Sequence, residues 1–250
     1  MSLYKNNEDR IDSLITADQN QEMFNNIAPY YDGANRILSI GLDRLWRRTA
    51  VKILDPKENH VYLDVGCGTG DICIEILRQN LTARVIGIDP SLGMLRIGWK
   101  KIRQCGMDSH ISLRQGNCLD LDFPENSFDG AITVFCIRNV TDRKKAFSEI
   151  VRVLKPGSML VVMELTEPVG LIMKTLFRIY ATTVMPTITT IMSSVSAYKY
   201  LTDSMAAFPK PENLKQIMAD SGLTKVTYSH MTFGIVTVYV GSKNTNTKTC

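Results

Sequence analysis

The sequence predicts an α/β fold built on a mostly parallel sheet, and three observations carry that prediction. Short apolar or β-branched runs recur through the middle of the chain: "HVYLDVG", "ARVIGID", "ISLRQGN", "GAITVFC" and "MLVVMEL". Helical patterns such as "DICIEILRQNL" and "KKAFSEIVRVLK" alternate with them, and strands interleaved with helices build parallel sheets. With 250 residues, 44% apolar and 22% charged, the chain suits one domain with a sizeable core.

Taken in order, residues 1 to about 55 read as helical and precede the first strand. The alternation then occupies 56–165, where "EIVRVL" has a basic last turn and "KPGS" stops the helix and delivers the chain into "MLVVMEL". Residues 166–208 interrupt it with a long hydroxyl-rich apolar stretch. From Ile179 to Tyr198 twenty residues carry no charge, but eight are Ser or Thr and Pro186 divides them, so a membrane span is not expected. A last helix and the final strands are expected over 209–243, and the polar ending "GSKNTNTKTC" is expected to fray. The first and third of these segments are the expected substrate-binding elaborations of a single domain.

Composition narrows the class of function. A formal charge of +4 with only "WKKIR" and "DRKK" as basic runs lacks the clustered stripe that nucleic-acid binding needs. The mildly basic surface is compatible with peripheral membrane contact. Six cysteines form no C-x-x-C pair, and "MSLYKNNEDRID" has no apolar core of a signal peptide; reduced thiols in a cytoplasm are expected. No metal is expected either, because Cys67 and Cys73 are too far apart for a usual zinc pair and His60, His110 and His230 supply no complement.

The stretch "LDVGCGTGD" sets Gly66, Gly68 and Gly70 at alternate positions after the first strand. A dinucleotide fold wants its third glycine one place later, where Asp71 stands and would repel a pyrophosphate. The strand-turn-helix context still brings backbone close to a ligand, and a helix N-terminus offers donors to a carboxylate. A carboxylate-bearing nucleoside therefore fits better than a phosphate. Asp89 ends the next strand in "VIGIDPS", where it can accept hydrogen bonds from ribose hydroxyls. Gly116, Asn117 and Cys118 end the third strand, where an amide can read an adenine edge. Taken singly, each has a plainer reading: a tight turn, an N-cap before "PSLGML", a turn residue. In order and at strand ends they mark a cofactor site.

The set "LDVGCGTGD", "IGIDPSLGML", "GNCLDLDFPENSFD" and "RVLKPGSML" resembles the class I S-adenosylmethionine-dependent methyltransferases. The flanks "MFNNIAPYYDGANRILSIGLDRLWRR", "FCIRNVTDRKKAFSEI" and "YKYLTDSMAAFP" are similar to those of the ubiquinone/menaquinone biosynthesis C-methyltransferases, and the likeness runs from about Met23 to Lys243. Its most diagnostic pieces are Tyr31-Asp32 with Asn35, and Arg138-Asn139-Val140-Thr141-Asp142. The resemblance implies a Rossmann-like, doubly wound, mostly parallel seven-stranded sheet with an N-terminal helical lid and an inserted helical cap. It implies S-adenosylmethionine held by Gly66, Gly68, Thr69, Gly70, Asp89, Asn117, Cys118 and Val134, and a polyprenylated quinol as the acceptor, such as demethylmenaquinol giving menaquinol. A benzoquinol of ubiquinone synthesis is the alternative acceptor. A homodimer is compatible with it.

In that chemistry a carbon nucleophile must be aligned with the sulfonium methyl, water expelled, and a phenolic hydroxyl helped to lose its proton. Arg138 is the first candidate, as a cation beside a forming naphtholate; its structural reading is a salt bridge to Asp142. Asn139 is expected to orient a quinol oxygen, and Tyr31 to belong to the lid, with Asp32 capping the following helix. Trp46 is expected to anchor a helix whose Arg47 and Arg48 form a solvated basic face. The family usually has glycine where this chain has Cys136, Ser158 and Phe233 and a small residue where it has Val134, and Cys136 and Phe233 are expected to narrow the substrate pocket. The cap is expected to bind the prenyl tail, with Ile188 and Ile191 meeting it. The competing readings are methylation of another small acceptor, an NAD-dependent oxidoreductase, which the glycine spacing disfavours, and a nucleoside-binding scaffold without turnover.

Overall fold

The computed structural model describes residues 16–184 and 195–245. Seven strands form one sheet in the order β3-β2-β1-β4-β5-β7-β6. They are β1 (Val61–Val65), β2 (Arg84–Asp89), β3 (Ile111–Gln115), β4 (Phe128–Val134), β5 (Leu154–Leu165), β6 (Leu223–Met231) and β7 (Val236–Lys243). The pairs among β1 to β5 are parallel, and β7 runs antiparallel between β5 and β6. All five apolar runs of the alternating region are strands. From β1 the chain builds outward through β2 and β3, then returns to add β4 on the other side of β1. The crevice beyond the carboxyl ends of β1 and β4 is therefore the place where such sheets bind ligands.

Eight α-helices among the described residues complete the architecture: α1 (Ala17–Leu38), α2 (Leu42–Leu54), α3 (Asp71–Gln79), α4 (Leu92–Gln104), α5 (Arg143–Val153), α6 (Leu171–Ile179), α7 (Val195–Ala207) and α8 (Pro211–Asp220). Two apolar layers follow from the alternation of side chains along the strands. Tyr62, Ile132 and Val161 pack with Trp46, Val51, Ile76 and Leu95 of α2, α3 and α4. Their neighbours Leu63, Ala131 and Leu160 pack with Phe147, Ile150 and Leu214 of α5 and α8. The "KPGS" segment enters β5 directly after α5, and the pairing with β4 slips between Phe128 and Gly130 to absorb it, with Gly157 at φ 80°.

The N-terminal helix α1 lies outside these layers. Thr16 caps α1, accepting from the Gln19 amide while the Gln19 side chain accepts from the Thr16 amide, a reciprocal cap that satisfies two orphan donors. The helix runs through Pro29 to Leu38, so Asp32 lies inside it and caps nothing. Asn25 fixes its position: its Oδ1 accepts from Ser91 Oγ and from the Gly93 amide, both at 2.8 Å. A side chain at Gly93 would come within 2.9 Å of the Asn25 backbone, so only glycine permits this approach. At the other end β7 continues through Lys243, so Gly241 to Lys243 are paired strand, held between β5 and β6, and do not fray. Residues 1–15 and 246–250 of the expected terminal segments, and Ile188 and Ile191 of the cap, lie outside the described residues.

Candidate active site

A cavity of about 260 Å³ lies over the carboxyl ends of β1, β2 and β4. The turn after β1 shapes its floor. Gly66 and Cys67 donate to the Ile88 carbonyl, both at 2.9 Å, and Gly70 to the Cys67 carbonyl. Gly66 has φ 72°, and a Cβ there would lie 2.2 Å from Cys136 Sγ, so the position requires glycine twice over. Gly68, at φ 52°, has no atom within 4 Å of where its Cβ would be; it lines the open cavity.

Asp89 stands beside that turn. Its carboxylate accepts from the Gly68 amide at 2.9 Å and from the Ser91 amide at 2.8 Å. Burial pushes its pKa up, and the two amides oppose the rise. Four lone-pair sites less two leave room for two hydroxyl donors. Ser91, whose Oγ accepts from the Met94 amide, is the N-cap of α4, so the capping alternative for Asp89 fails. Ile88, Met94 and Val134 line the same cavity with Asn117 and Cys118, giving a flat nucleoside apolar walls. The Asn117 side chain spends its oxygen on the Leu119 amide at 2.9 Å. The donor set, the glycine-lined floor and the apolar walls fit S-adenosylmethionine.

Thr69 and Gly70 turn away from the cavity. Thr69 Oγ1 donates to Asp32 Oδ1 at 2.6 Å and accepts from Lys101 Nζ at 3.1 Å. Lys101 also bonds Asp32 Oδ2 at 2.7 Å and Asp71. Gly70 is the N-cap of α3 in a left-handed conformation. These residues hold α1 against the cofactor turn, and Asp32 is the latch on the helix side.

A second cavity, about 270 Å³, adjoins the first; Tyr31 and Phe135 line both. Its walls are mainly apolar, from Leu38 and Leu42 on α1 and α2, Met173, Leu176 and Phe177 on α6, and Leu201 and Met205 on α7. Arg138 and Asp43 are the charged residues of its lining. Arg138 is buried and its Nη1 pairs with Glu164 Oε2 at 2.8 Å, while Glu164 Oε1 accepts from the Arg138 amide at 3.1 Å. Asp142 instead caps α5, accepting from the Lys145 amide at 2.9 Å, so the expected Arg138–Asp142 bridge is replaced by a buried one to Glu164. Burial acts to lower the Arg138 pKa, but the Glu164 charge and hydrogen bond outweigh it, so the cation persists. Its Nε, like Asn35 Nδ2 on the same cavity, is buried with no protein partner; both are donors that an acceptor's oxygen would satisfy.

Asn139 lines the first cavity and its Oδ1 accepts from Tyr200 Oη at 3.0 Å. Tyr200 in turn accepts from Asn20 of α1. Burial pushes its hydroxyl up to about 12, against the pull of Arg138, so it stays a neutral donor. Phe135 has φ 59°, an outlier for a bulky residue and a common mark of functional sites. Its ring lies 5.7 Å from the Arg47 guanidinium carbon, 5.9 Å from that of Arg138, and edge-on to Trp46.

The chain matches the ubiE/COQ5 methyltransferase family over residues 13–243. It belongs to that family. It is 41% identical over 224 residues to the ubiquinone/menaquinone biosynthesis C-methyltransferase UbiE of Geobacter sulfurreducens, covering 89% of this chain and 88% of that one. It is 40% identical over 228 residues to the demethylmenaquinone methyltransferase of Bacteroides fragilis, covering 91% and 93%. Among solved structures, a SAM-dependent methyltransferase of Thermotoga maritima, described as a possible histamine N-methyltransferase, shares the fold with a TM-score of 0.64 at 20% identity, over 89% and 99% of the two chains. Phosphoethanolamine N-methyltransferase 2 of Haemonchus contortus in complex with S-adenosyl-L-methionine aligns with a TM-score of 0.60 at 17% identity, over 79% and 52%. The protein is thus an S-adenosylmethionine-dependent methyltransferase, and its sheet is that of the class I enzymes.

Several residues that build this methyltransferase site escape the sequence reading. Glu164 is visible as a lone charge closing "MLVVMEL", a signal that could have found it. Tyr200 sits in a stretch that carries the family likeness without a role attached, and Phe135 reads as ordinary strand. Arg47 is not solvated: it stacks on Phe135 and lies 3.9 Å from both Asp43 and Asp71. Cys136 lines the cofactor cavity rather than the second one, and Phe233 lines neither, so the expected narrowing of the acceptor pocket is not seen.

Asp89→Ala should weaken S-adenosylmethionine binding by about 1.5–3 kcal/mol for each charge-assisted hydrogen bond it removes. Gly68→Val should weaken it further, since a branched side chain would enter the cavity from a left-handed residue. Calorimetric titration checks both, and native affinity in either variant would remove that residue from the site. Beneath the turn, burial pushes the Asp64 carboxyl up to about 7, with the Cys73 thiol and Arg47 opposing. A raised folded pKa means the protonated form stabilises the fold. The contribution is complete below the unfolded value of about 4 and fades as pH rises through about 7. Asp64→Asn should therefore gain in melting temperature relative to the wild type as pH climbs across that window. A difference that stays constant with pH would contradict the assignment.

Proposed function

We propose that this methyltransferase transfers the methyl group to a ring carbon of a polyprenylated quinol, converting demethylmenaquinol to menaquinol. The observation that carries the reading is the second cavity: apolar walls, one buried cation with an unpartnered donor, and a junction with the cofactor cavity at Tyr31 and Phe135. A relative bearing the name demethylmenaquinone methyltransferase at 40% identity supports it.

When bound, S-adenosylmethionine supplies a sulfonium methyl, whose C–S bond breaks as the acceptor carbon takes the methyl and later gives up its ring proton. The chain's own task is to place the acceptor and make its ring electron-rich. Arg138, fixed by Glu164, faces the hydroxyl oxygen and favours its ionised form. Asn35 donates to the acceptor from α1. Tyr200 holds the Asn139 carboxamide so that its NH2 is presented at the junction. Phe135 and Tyr31 exclude water there. The apolar walls take the prenyl tail, whose burial contributes about 25 cal/mol per Å² of apolar area removed from water.

Arg138→Lys keeps the charge and loses the planar fork. Single-turnover methyl transfer should fall about tenfold or more, with S-adenosylmethionine affinity unchanged. Leu176→Asp, on the cavity wall, should raise KM for long-tailed quinols far more than for tail-free ones. Both are measured with labelled S-adenosylmethionine and separate naphthoquinol and benzoquinol acceptors. Preference for the benzoquinol would assign the ubiquinone branch, and absence of turnover with either would assign another small acceptor.

A further inference from the structure

We infer that the rim of the second cavity is a membrane-docking surface that seats the enzyme on an anionic bilayer, without crossing it. The inference deepens the acceptor reading and rests on it for the direction in which a lipid acceptor enters.

The first observation is a helix with nothing to bury. None of the nine residues of α6 is buried, although helices in proteins owe most of their stability to a packed apolar face. Leu171 is 82% exposed and Ile172 78%; across the cavity mouth Ile40 is 79% exposed, and Leu45 of the adjoining α2 is 56% exposed. Leu176 of α6 and Ile40 at the α1–α2 corner line the same cavity, and Tyr180, just after α6, donates to the Leu38 carbonyl at 2.8 Å. The two apolar edges therefore flank one opening.

The second observation is Phe233. It is 72% exposed and has φ 56°, between Thr232 at 48° and Gly234 at 87°. A bulky side chain in left-handed backbone is strained, and here it gains no burial within the protein. Its carbonyl accepts from the Val169 amide at 2.9 Å, which places it beside the start of α6. Thr232 accepts from Trp46 Nε1 at 2.8 Å, which ties the same turn to the cavity wall. The strained turn holds an aromatic ring outward at the rim.

Charge decides between a bilayer and a second copy of the chain. Arg44 on α2 and Lys174 and Arg178 on α6 are exposed on the rim helices, against one exposed carboxylate beside them among the described residues, Glu167, 3.8 Å from Lys174. A two-fold contact would set this cationic rim against itself. Anionic headgroups complement it, while the apolar side chains enter the acyl boundary. Among the described residues no helix is long and apolar enough to cross a membrane, which matches a protein that lies on the surface. A prenylated acceptor would then pass from bilayer to cavity without crossing water.

Vesicle flotation of the full chain, with no quinol present, tests the docking directly. The wild type should float with phosphatidylglycerol/phosphatidylethanolamine vesicles, and less with phosphatidylcholine alone or at high salt. Leu171→Glu combined with Ile172→Glu should lower the partition coefficient about tenfold or more. Phe233→Gly should lower it about fivefold or more while its melting temperature holds or rises, an effect that loss of folding cannot produce. In both variants S-adenosylmethionine affinity and turnover of a tail-free naphthoquinol should match the wild type. A wild type that ignores vesicles, or variants that float unchanged, would overturn the inference. So would light scattering that shows a dimer broken by the double variant with flotation intact. A wild type that floats but methylates no quinol would sink the acceptor reading and leave the docking surface standing.

Discussion

The buried ion pair between Arg138 and Glu164 is the constraint around which the site is arranged. Taking two charges out of water costs several kcal/mol per ion, which their attraction offsets only when hydrogen bonding is nearly complete. Here Glu164 accepts from the guanidinium at 2.8 Å, from the Arg138 amide at 3.1 Å and from the Leu165 amide at 3.2 Å. The first two tie the turn after β4 to the end of β5, and the third, within β5, steadies the carboxylate. They locate a permanent cation beside the junction of the two cavities, with its Nε still unpartnered. Such a pair is weak evidence for stability but strong evidence for position. The left-handed Phe135, three residues earlier, is the backbone cost of bringing the chain from β4 into that arrangement.

One helix then writes both cavities. On α1, Asn25 and Asp32 fall seven residues apart, two turns along one face, and both reach the cofactor side: Asn25 to the start of α4, Asp32 to Thr69 and Lys101. Tyr31 and Asn35, four apart, line the second cavity. Asn20 reaches Tyr200 on α7, closing the ring from lid to cap. The same helix borders the first cavity and lends side chains to the second, so loosening its latch would disturb both at once.

Much of this is legible in the sequence for plain physical reasons. The short apolar or β-branched runs, interleaved with helical patterns, are enough to name five strands, and the glycine turn with Asp89 twenty-one residues beyond Gly68 marks the switch point, because those roles are local to a strand end. Arg138 is legible as a cation where apolar residues prevail. What stays hidden is what tertiary packing decides. Nothing local separates Glu164 from Asp142 as the partner of Arg138, since one lies four residues away and the other arrives from the next strand. Asp32 has the side chain of a helix cap, yet α1 absorbs Pro29 and carries Asp32 to Lys101. Thr69 shares the cofactor motif but points behind the turn to Asp32 and Lys101, which only its tertiary contacts reveal.

In the proposed mechanism the cation fixed by Glu164 lowers the pKa of the acceptor's hydroxyl. Its most direct test is an absorbance titration of 1-naphthol, a tail-free acceptor mimic, bound in the presence of S-adenosylhomocysteine. The bound naphthol should ionise about one to three pH units below its value in water, and Arg138→Met should restore the solution value while cofactor-product affinity is kept. A bound naphthol that titrates as it does in water, in wild type and variant alike, would contradict it.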